Sequence, residues 1–305
     1  MAQALERYGN YLKLVRGCAP RTVETYMGEI GRLALWLQAR PRPVELEYAS
    51  EADLLEYRDQ LGRSPAGVAL ALKSVRYFYG WAVKSKLIDA TPFPDDLRVR
   101  VKKQEPTDVP TCAQFLELRA RLAEPVTDAR AVPQDIRAAM IETLAGAGLR
   151  VEALLTLCPR HLRFGPRPYV MVDGAMSCKG SRAGAIPISP YAARLLESLI
   201  VRRKPSAETP LFPYTAALVR KILKQASPPG LALHPHSLRH FYCAMTYKRN
   251  FDGGAKDPVW VQQAAGHSSL GITTGYLSMA LRVCASDREW ECWAEGQALT
   301  QAAVA

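Results

Sequence analysis

No Cys-x-x-Cys pair occurs in the 305 residues of this chain, and its seven cysteines are scattered and odd in number. Both facts argue against a disulfide framework and a cysteine-ligated zinc site. They suit thiols kept reduced, as in a cytoplasm. No apolar run approaches the length of a membrane span, so no membrane partner is expected. The stretch from Met1 to Asn10 carries Glu6 and Arg7 and has no apolar signal core. Internal repeats and low-complexity tracts are absent. Acidic residues are in short supply: 29 Asp plus Glu stand against 40 Lys plus Arg, a net charge of +11. Such an excess suggests a polyanion as partner, although a merely soluble basic protein has the same signature. The hydrophobic share of 48% is ordinary, so one large domain or two ordinary ones can bury a core.

What is present is mostly helical patterning. Leu5, Tyr8, Leu12 and Val15 recur at helical spacing until Gly17 and Pro20 break the run. A second helix over about 21–37 follows Pro20 and puts Tyr26, Ile30, Leu33 and Leu37 on one stripe. Ser50 is a cap for a third helix through Leu61, and Ser64-Pro65 opens a fourth that holds Val68, Leu72, Val75, Tyr79 and Val83. The fourth also carries Lys73, Arg76, Lys84 and Lys86, which form either a solvated face or a surface for a polyanion. The pattern predicts a helical domain over 1–97. A charged, proline-broken linker follows over 98–111, and its basic residues suit a phosphate backbone.

The second domain is expected over 112–285, with helices at about 112–123, 134–147, 151–157, 192–202, 216–225, 237–248 and 258–265. Between them lies a β signal, Tyr169-Val170-Met171-Val172, and a second one, Ala185-Ile186-Pro187-Ile188. A final helix over 286–305 is announced by Ser286-Asp287-Arg288-Glu289.

Chemistry concentrates near the end of the chain. Gly266-His267-Ser268-Ser269 stands nine residues before Tyr276, counted from the histidine. Upstream, Pro235-His236-Ser237-Leu238-Arg239-His240 places His236 and Arg239 on one helical face. An arginine to hold phosphate oxygens, histidines to handle protons and a tyrosine to attack make a phosphate-cleaving set. His236 and His240 at i, i+4 hint at a metal. No Glu lies between them and no cysteine pair is near, so neither a metal nor another cofactor is expected.

Together and in this order these segments resemble the tyrosine recombinases, the integrase and Xer-type site-specific DNA recombinases. Pro20-Arg21-Thr22-Val23-Glu24-Thr25-Tyr26 and Leu72-Lys73-Ser74-Val75-Arg76-Tyr77-Phe78-Tyr79 are similar to two helix patterns of that family's core-binding domain. Gly148-Leu149-Arg150-Val151 resembles the box of its first catalytic arginine, and Cys178-Lys179-Gly180-Ser181-Arg182 the hairpin of its catalytic lysine. His236-Ser237-Leu238-Arg239-His240 matches its HxLRH box. His267 and Tyr276 match its second histidine and its nucleophile. The chain departs from the family in having Ala153 where an acidic residue is usual, with Glu152 one position earlier. It also has a longer segment between Arg239 and His267.

The resemblance implies a mainly α fold with a small β-hairpin or sheet: a SAM-like helical core-binding domain followed by an α+β catalytic domain. It implies strand cleavage through a covalent 3′-phosphotyrosine at Tyr276, a Holliday-junction intermediate, and rejoining in integration, excision or dimer resolution. Arg150 and Arg239 would hold the phosphate and Lys179 would protonate the leaving oxygen. His236 would act as general base and His267 as a donor to the phosphate. A homo-tetramer on two double-stranded recombination sites is implied, with a cytoplasmic, DNA-associated location. The C-terminal helix would dock on its own domain or be exchanged between protomers. DNA relaxation of the type IB topoisomerase kind, and a catalytically inactive DNA-binding regulator, are the competing expectations.

Overall fold

Prolines and hydroxyl side chains set where the helices begin. In the computed structural model, which describes residues 2–95, 97, 99, 108–125, 131–173, 176, 184–249, 251, 257–265 and 270–297, two units divide between Lys103 and Gln104. In the first unit, α1 (Ala2–Asn10) runs into a π-helical turn (Tyr11–Val15). Helix α2 (Pro20–Gln38) starts with Pro20 in its first turn, where a missing N–H costs nothing. Helix α3 (Glu51–Gln60) is capped by a reciprocal pair, Ser50 with Asp53, and α4 (Pro65–Lys84) by Ser64 accepting from the Gly67 amide. The expected stripe of α2 is buried at Ile30, Leu33 and Leu37, and that of α4 at Leu72, Val75 and Tyr79. Tyr8 of α1 packs edge-on to Phe78 of α4, with centroids 5.3 Å apart. One expected core position is wrong: Val15 is 72% exposed. The wider π turn rotates it off the face shared by Tyr8 and Leu12.

Exposed residues of α4 line a cleft of about 640 Å³ in this unit, with Lys73, Arg76, Tyr77 and Lys84 on its walls and Arg16 beside them. Tyr77 has the Arg16 guanidinium 5.5 Å and the Lys73 ammonium 6.0 Å from its ring centroid. A basic wall with an exposed ring is a fitting surface for a polyanion.

The second unit opens with α5 (Cys112–Leu122), capped by Thr111 and Gln114, and α6 (Gln134–Ala147). A short α7 (Val151–Leu155) leads to a three-stranded antiparallel sheet in the order β1 (Leu162–Arg163), β2 (Tyr169–Val172), β3 (Gly184–Pro187). Val170 pairs with Leu162 on one side and Ile186 on the other. Then come α8 (Pro190–Arg203), α9 (Ala216–Ala226), α10 (Pro235–Lys248), α11 (Pro258–Ala265), α12 (Leu270–Thr274), α13 (Tyr276–Val283) and α14 (Asp287–Glu295). Helix α10 runs through the middle: Leu238, Phe241, Tyr242, Cys243, Ala244 and Met245 are all inaccessible to solvent. Its neighbours include α6 and α13.

The two tryptophans of α14 are buried on their own domain. Trp290 donates its indole N–H to the Met245 carbonyl at 3.1 Å, and Trp293 stands edge-on to Phe241 at 5.7 Å. Arg119 of α5 fastens the end of α14 by donating to the carbonyls of Cys292 (2.9 Å) and Trp293 (2.8 Å). The same guanidinium pairs with buried Glu142 of α6 at 2.6 Å and lies over the Tyr191 ring at 4.5 Å. No helix among the described residues is long and apolar enough to cross a membrane.

Candidate active site

A left-handed glycine begins the site. Helix α6 ends at Gly148, whose φ is +59°, and a Cβ there would come within 2.4 Å of the Tyr242 ring. Only glycine takes that turn beside that ring without strain. The turn delivers Arg150 as the residue preceding α7, in an extended conformation and half-buried. It also offers the Gly148 carbonyl to Arg239, whose Nη1 donates to it at 2.6 Å. The other amino group of Arg239 donates to the Ala265 carbonyl at the end of α11. Arg239 is 5% exposed. Burial draws its pKa below the usual arginine value, and Arg150 nearby adds repulsion. An arginine so placed stays charged, and its planar fork is held by two fixed carbonyls.

Arg150, Glu152, Arg220, His234, His236 and Arg239 surround a pocket of about 300 Å³. Three guanidiniums and two imidazoles against one carboxylate make a hollow suited to a phosphate. Glu152 lines it, whereas Ala153 is buried, so the departure from the family pattern leaves a carboxylate at the pocket wall. His236, though exposed, is partly desolvated by the pocket walls. That effect, then repulsion from Arg239, His234 and Arg150, lowers its pKa and favours the neutral, proton-accepting ring.

Tyr276 is the first residue of α13 and is 6% exposed. The sequence pattern gave no helix there, because Thr273, Thr274 and Gly275 are weak helix formers. Its hydroxyl is 2.5 Å from Nδ1 of His240 on α10. Burial first, and then Cys243, pushes the phenol above its ordinary pKa, with Arg239 opposing. The structure thus brings Arg150, His236 and Arg239 to one pocket, and brings Tyr276 against the helix that carries two of them. Lys179 and His267 lie outside the described residues. Three residues went unnoticed in the sequence as parts of the site. Arg220 and His234 belong to no motif, and His240, a candidate metal ligand and the last residue of the HxLRH box, has no catalytic role in either reading.

Residues 121–281 match the sequence profile of the Phage integrase family, which is more than half of the chain. The chain belongs to the phage integrase family, the tyrosine recombinases. Residues 5–86 of this recombinase match a second profile, the phage integrase N-terminal SAM-like domain. It is 28% identical to tyrosine recombinase XerD of Xanthomonas axonopodis pv. citri over 303 residues, 92% of this chain and 93% of that one. It is 27% identical to tyrosine recombinase XerC of Myxococcus xanthus over 297 residues, covering 90% and 93%. Among solved structures, its fold is similar to XerH site-specific recombinase bound to palindromic difH substrate. The TM-score there is 0.68 at 16% identity, over 91% of this chain and 81% of that one. A lambda integrase (75–356) dimer bound to a COC′ core site gives a TM-score of 0.63 at 19% identity, over 90% and 94%.

Proposed function

We propose that this recombinase cuts and rejoins double-stranded DNA at specific recombination sites through a covalent 3′-phosphotyrosine at Tyr276. The observation that carries the reading is the shared use of α10. One helix carries His236 and Arg239 at a basic pocket and also meets the hydroxyl of Tyr276. Arg150 and Arg239 clamp the nonbridging oxygens with paired N–H groups, and His236 serves proton transfer at the pocket mouth. Lys179 protonates the leaving 5′ oxygen and His267 donates to the phosphate, both carried over from the family's motifs. The phosphotyrosine keeps the energy of the phosphodiester, so the reaction as proposed draws on neither ATP nor a metal. Attack by another strand's 5′ hydroxyl then gives exchange. Four copies acting on two sites are the assembly this requires, in a cytoplasmic, DNA-associated setting. Relatives whose solved forms carry substrate DNA, XerH and lambda integrase among them, support DNA as the partner.

A nicked suicide substrate tests the reading. Cleavage on such DNA releases the short fragment that carries the new 5′ hydroxyl and leaves the protein joined to the 3′ end. Wild-type protein is expected to form a covalent complex and Tyr276→Phe to form none while still shifting the same DNA. Undiminished covalent capture by Tyr276→Phe would refute the assignment.

A further inference from the structure

A tyrosine that attacks phosphorus must lose a proton, and its hydroxyl meets a side chain, His240, to which the family resemblance assigns no catalytic role. His240 lies one helical turn after His236 on α10. Its Nδ1 meets the Tyr276 hydroxyl, with ring centroids 5.6 Å apart. The His236 ring also meets it, in an edge-to-face contact at 4.3 Å between centroids and 69°. His240 therefore touches both the nucleophile and the histidine that lines the pocket. Little of Tyr276 is open to water, so a proton leaving its hydroxyl needs a protein acceptor within hydrogen-bond reach.

We propose that His240 is the immediate proton acceptor of Tyr276. The inference rests on Tyr276 being the nucleophile. As the phenolic oxygen bonds to phosphorus, its O–H bond breaks and the proton passes to Nδ1 of His240. The bond from phosphorus to the 5′ oxygen breaks in the same displacement. Its electron pair stays on the leaving oxygen, which takes a proton from Lys179. Atoms and charge balance with no oxidant, reductant or metal. The step needs the His240 tautomer with hydrogen on Nε2, the form in which Nδ1 accepts from the hydroxyl. The imidazolium so formed has Arg239 next to it in the sequence. The exposed ring of His236 offers the proton a way on towards solvent. Burial and Cys243 both disfavour a free phenolate at Tyr276, which is why an acceptor in contact matters.

Single-turnover covalent capture on nicked DNA tests this with three variants of the full chain, alongside band-shift binding. Tyr276→Phe is expected to bind and capture nothing. His240→Ala is expected to bind as wild type and to capture about 100-fold more slowly, the scale of a lost general base. His240→Asn puts an accepting oxygen close to the Nδ1 position but takes no proton at neutral pH, so it should be equally slow. Added imidazole should restore His240→Ala by about tenfold or more by supplying the missing base, and leave His240→Asn unchanged. Wild-type capture by His240→Asn would mean that the contact only orients the hydroxyl, and overturns the proposal. Wild-type or faster capture by His240→Ala overturns it too, as does a slow His240→Ala that imidazole fails to restore. Capture by Tyr276→Phe at the wild-type rate would instead strike at the nucleophile itself, which separates the two failures.

Discussion

In the first unit Lys73, Arg76 and Lys84 stand exposed along α4, around an open cleft with Tyr77 on its wall. In the second, Arg239 is buried, and both of its amino groups are tied to backbone carbonyls around a pocket less than half that volume. The first arrangement keeps its cations hydrated and movable. Arg76 pairs with the exposed Asp95 at 3.6 Å, a pair worth little in water. The second arrangement has met the cost of ordering and desolvation during folding, so its charge is already aimed when a phosphate arrives. On the proposed reading, one region attracts an anion and the other stabilises a change in it. Substitutions should therefore separate affinity from chemistry.

The sharpest break between the two regions is Tyr276→Phe. It should reduce covalent capture to background and leave band-shift affinity close to wild type. Persistent capture would redirect attention to Tyr247, since Tyr242 is fully buried and donates its hydroxyl to the Pro187 carbonyl. Next in size, Arg239→Ala should slow cleavage by about 10²–10³-fold or more, as the loss of a preorganised charge does. Two carbonyls would also lose their donor, lowering stability by about 1–3 kcal/mol in denaturant titration. DNA with a bridging 5′ sulfur should not restore this variant. The same DNA should restore Lys179→Ala, because a thiolate leaves without a proton. Recovery in neither would leave the acid unidentified.

Replacing arginine by lysine sharpens the contrast. Arg239→Lys keeps the charge but loses the fork and should remain at least tenfold slow in cleavage, by about 1.4 kcal/mol or more. Arg76→Lys should be near neutral in both binding and cleavage. The smallest effects belong to Lys73→Ala and Lys84→Ala. Each should weaken binding a few-fold at physiological salt and reduce the salt slope by about one phosphate contact. Cleavage at saturating protein should be unchanged. Equal losses of cleavage in both regions would erase the division of labour.

The sequence makes much of this visible, for physical reasons. Pro20, Ser50 and Ser64-Pro65 mark helix starts because a proline in the first turn and a capping hydroxyl act locally. The His236 and Arg239 pair is readable because helical spacing puts i and i+3 on one side of α10. Gly148 signals a helix end, though nothing in the sequence tells that Tyr242 forbids a side chain there. The contact of His240 with Tyr276 spans 36 positions and depends on how α13 packs against α10. No periodicity encodes that. Strand β1 is two residues long, too short for an alternating pattern to show. Val15 misleads because a π turn breaks the 3.6-residue repeat on which stripes are counted.

The fastening of α14 also has a bearing on the order of synthesis. Arg119 grips the Trp293 carbonyl across 174 positions, and Trp293 covers Phe241 on the helix that carries the site. A ribosome releases Arg119, Glu142 and all of α10 well before α14 emerges. Until then Glu142 keeps its salt-bridge partner and Phe241 its stacked neighbour Phe115, but Phe241 lacks Trp293 and Arg119 lacks two of its acceptors. The packing of the unit around α10 is therefore completed only once α14 has emerged. Stalled nascent chains ending before Ser286 should therefore be cut rapidly by protease around α10, and chains extended to clear α14 from the exit tunnel should resist.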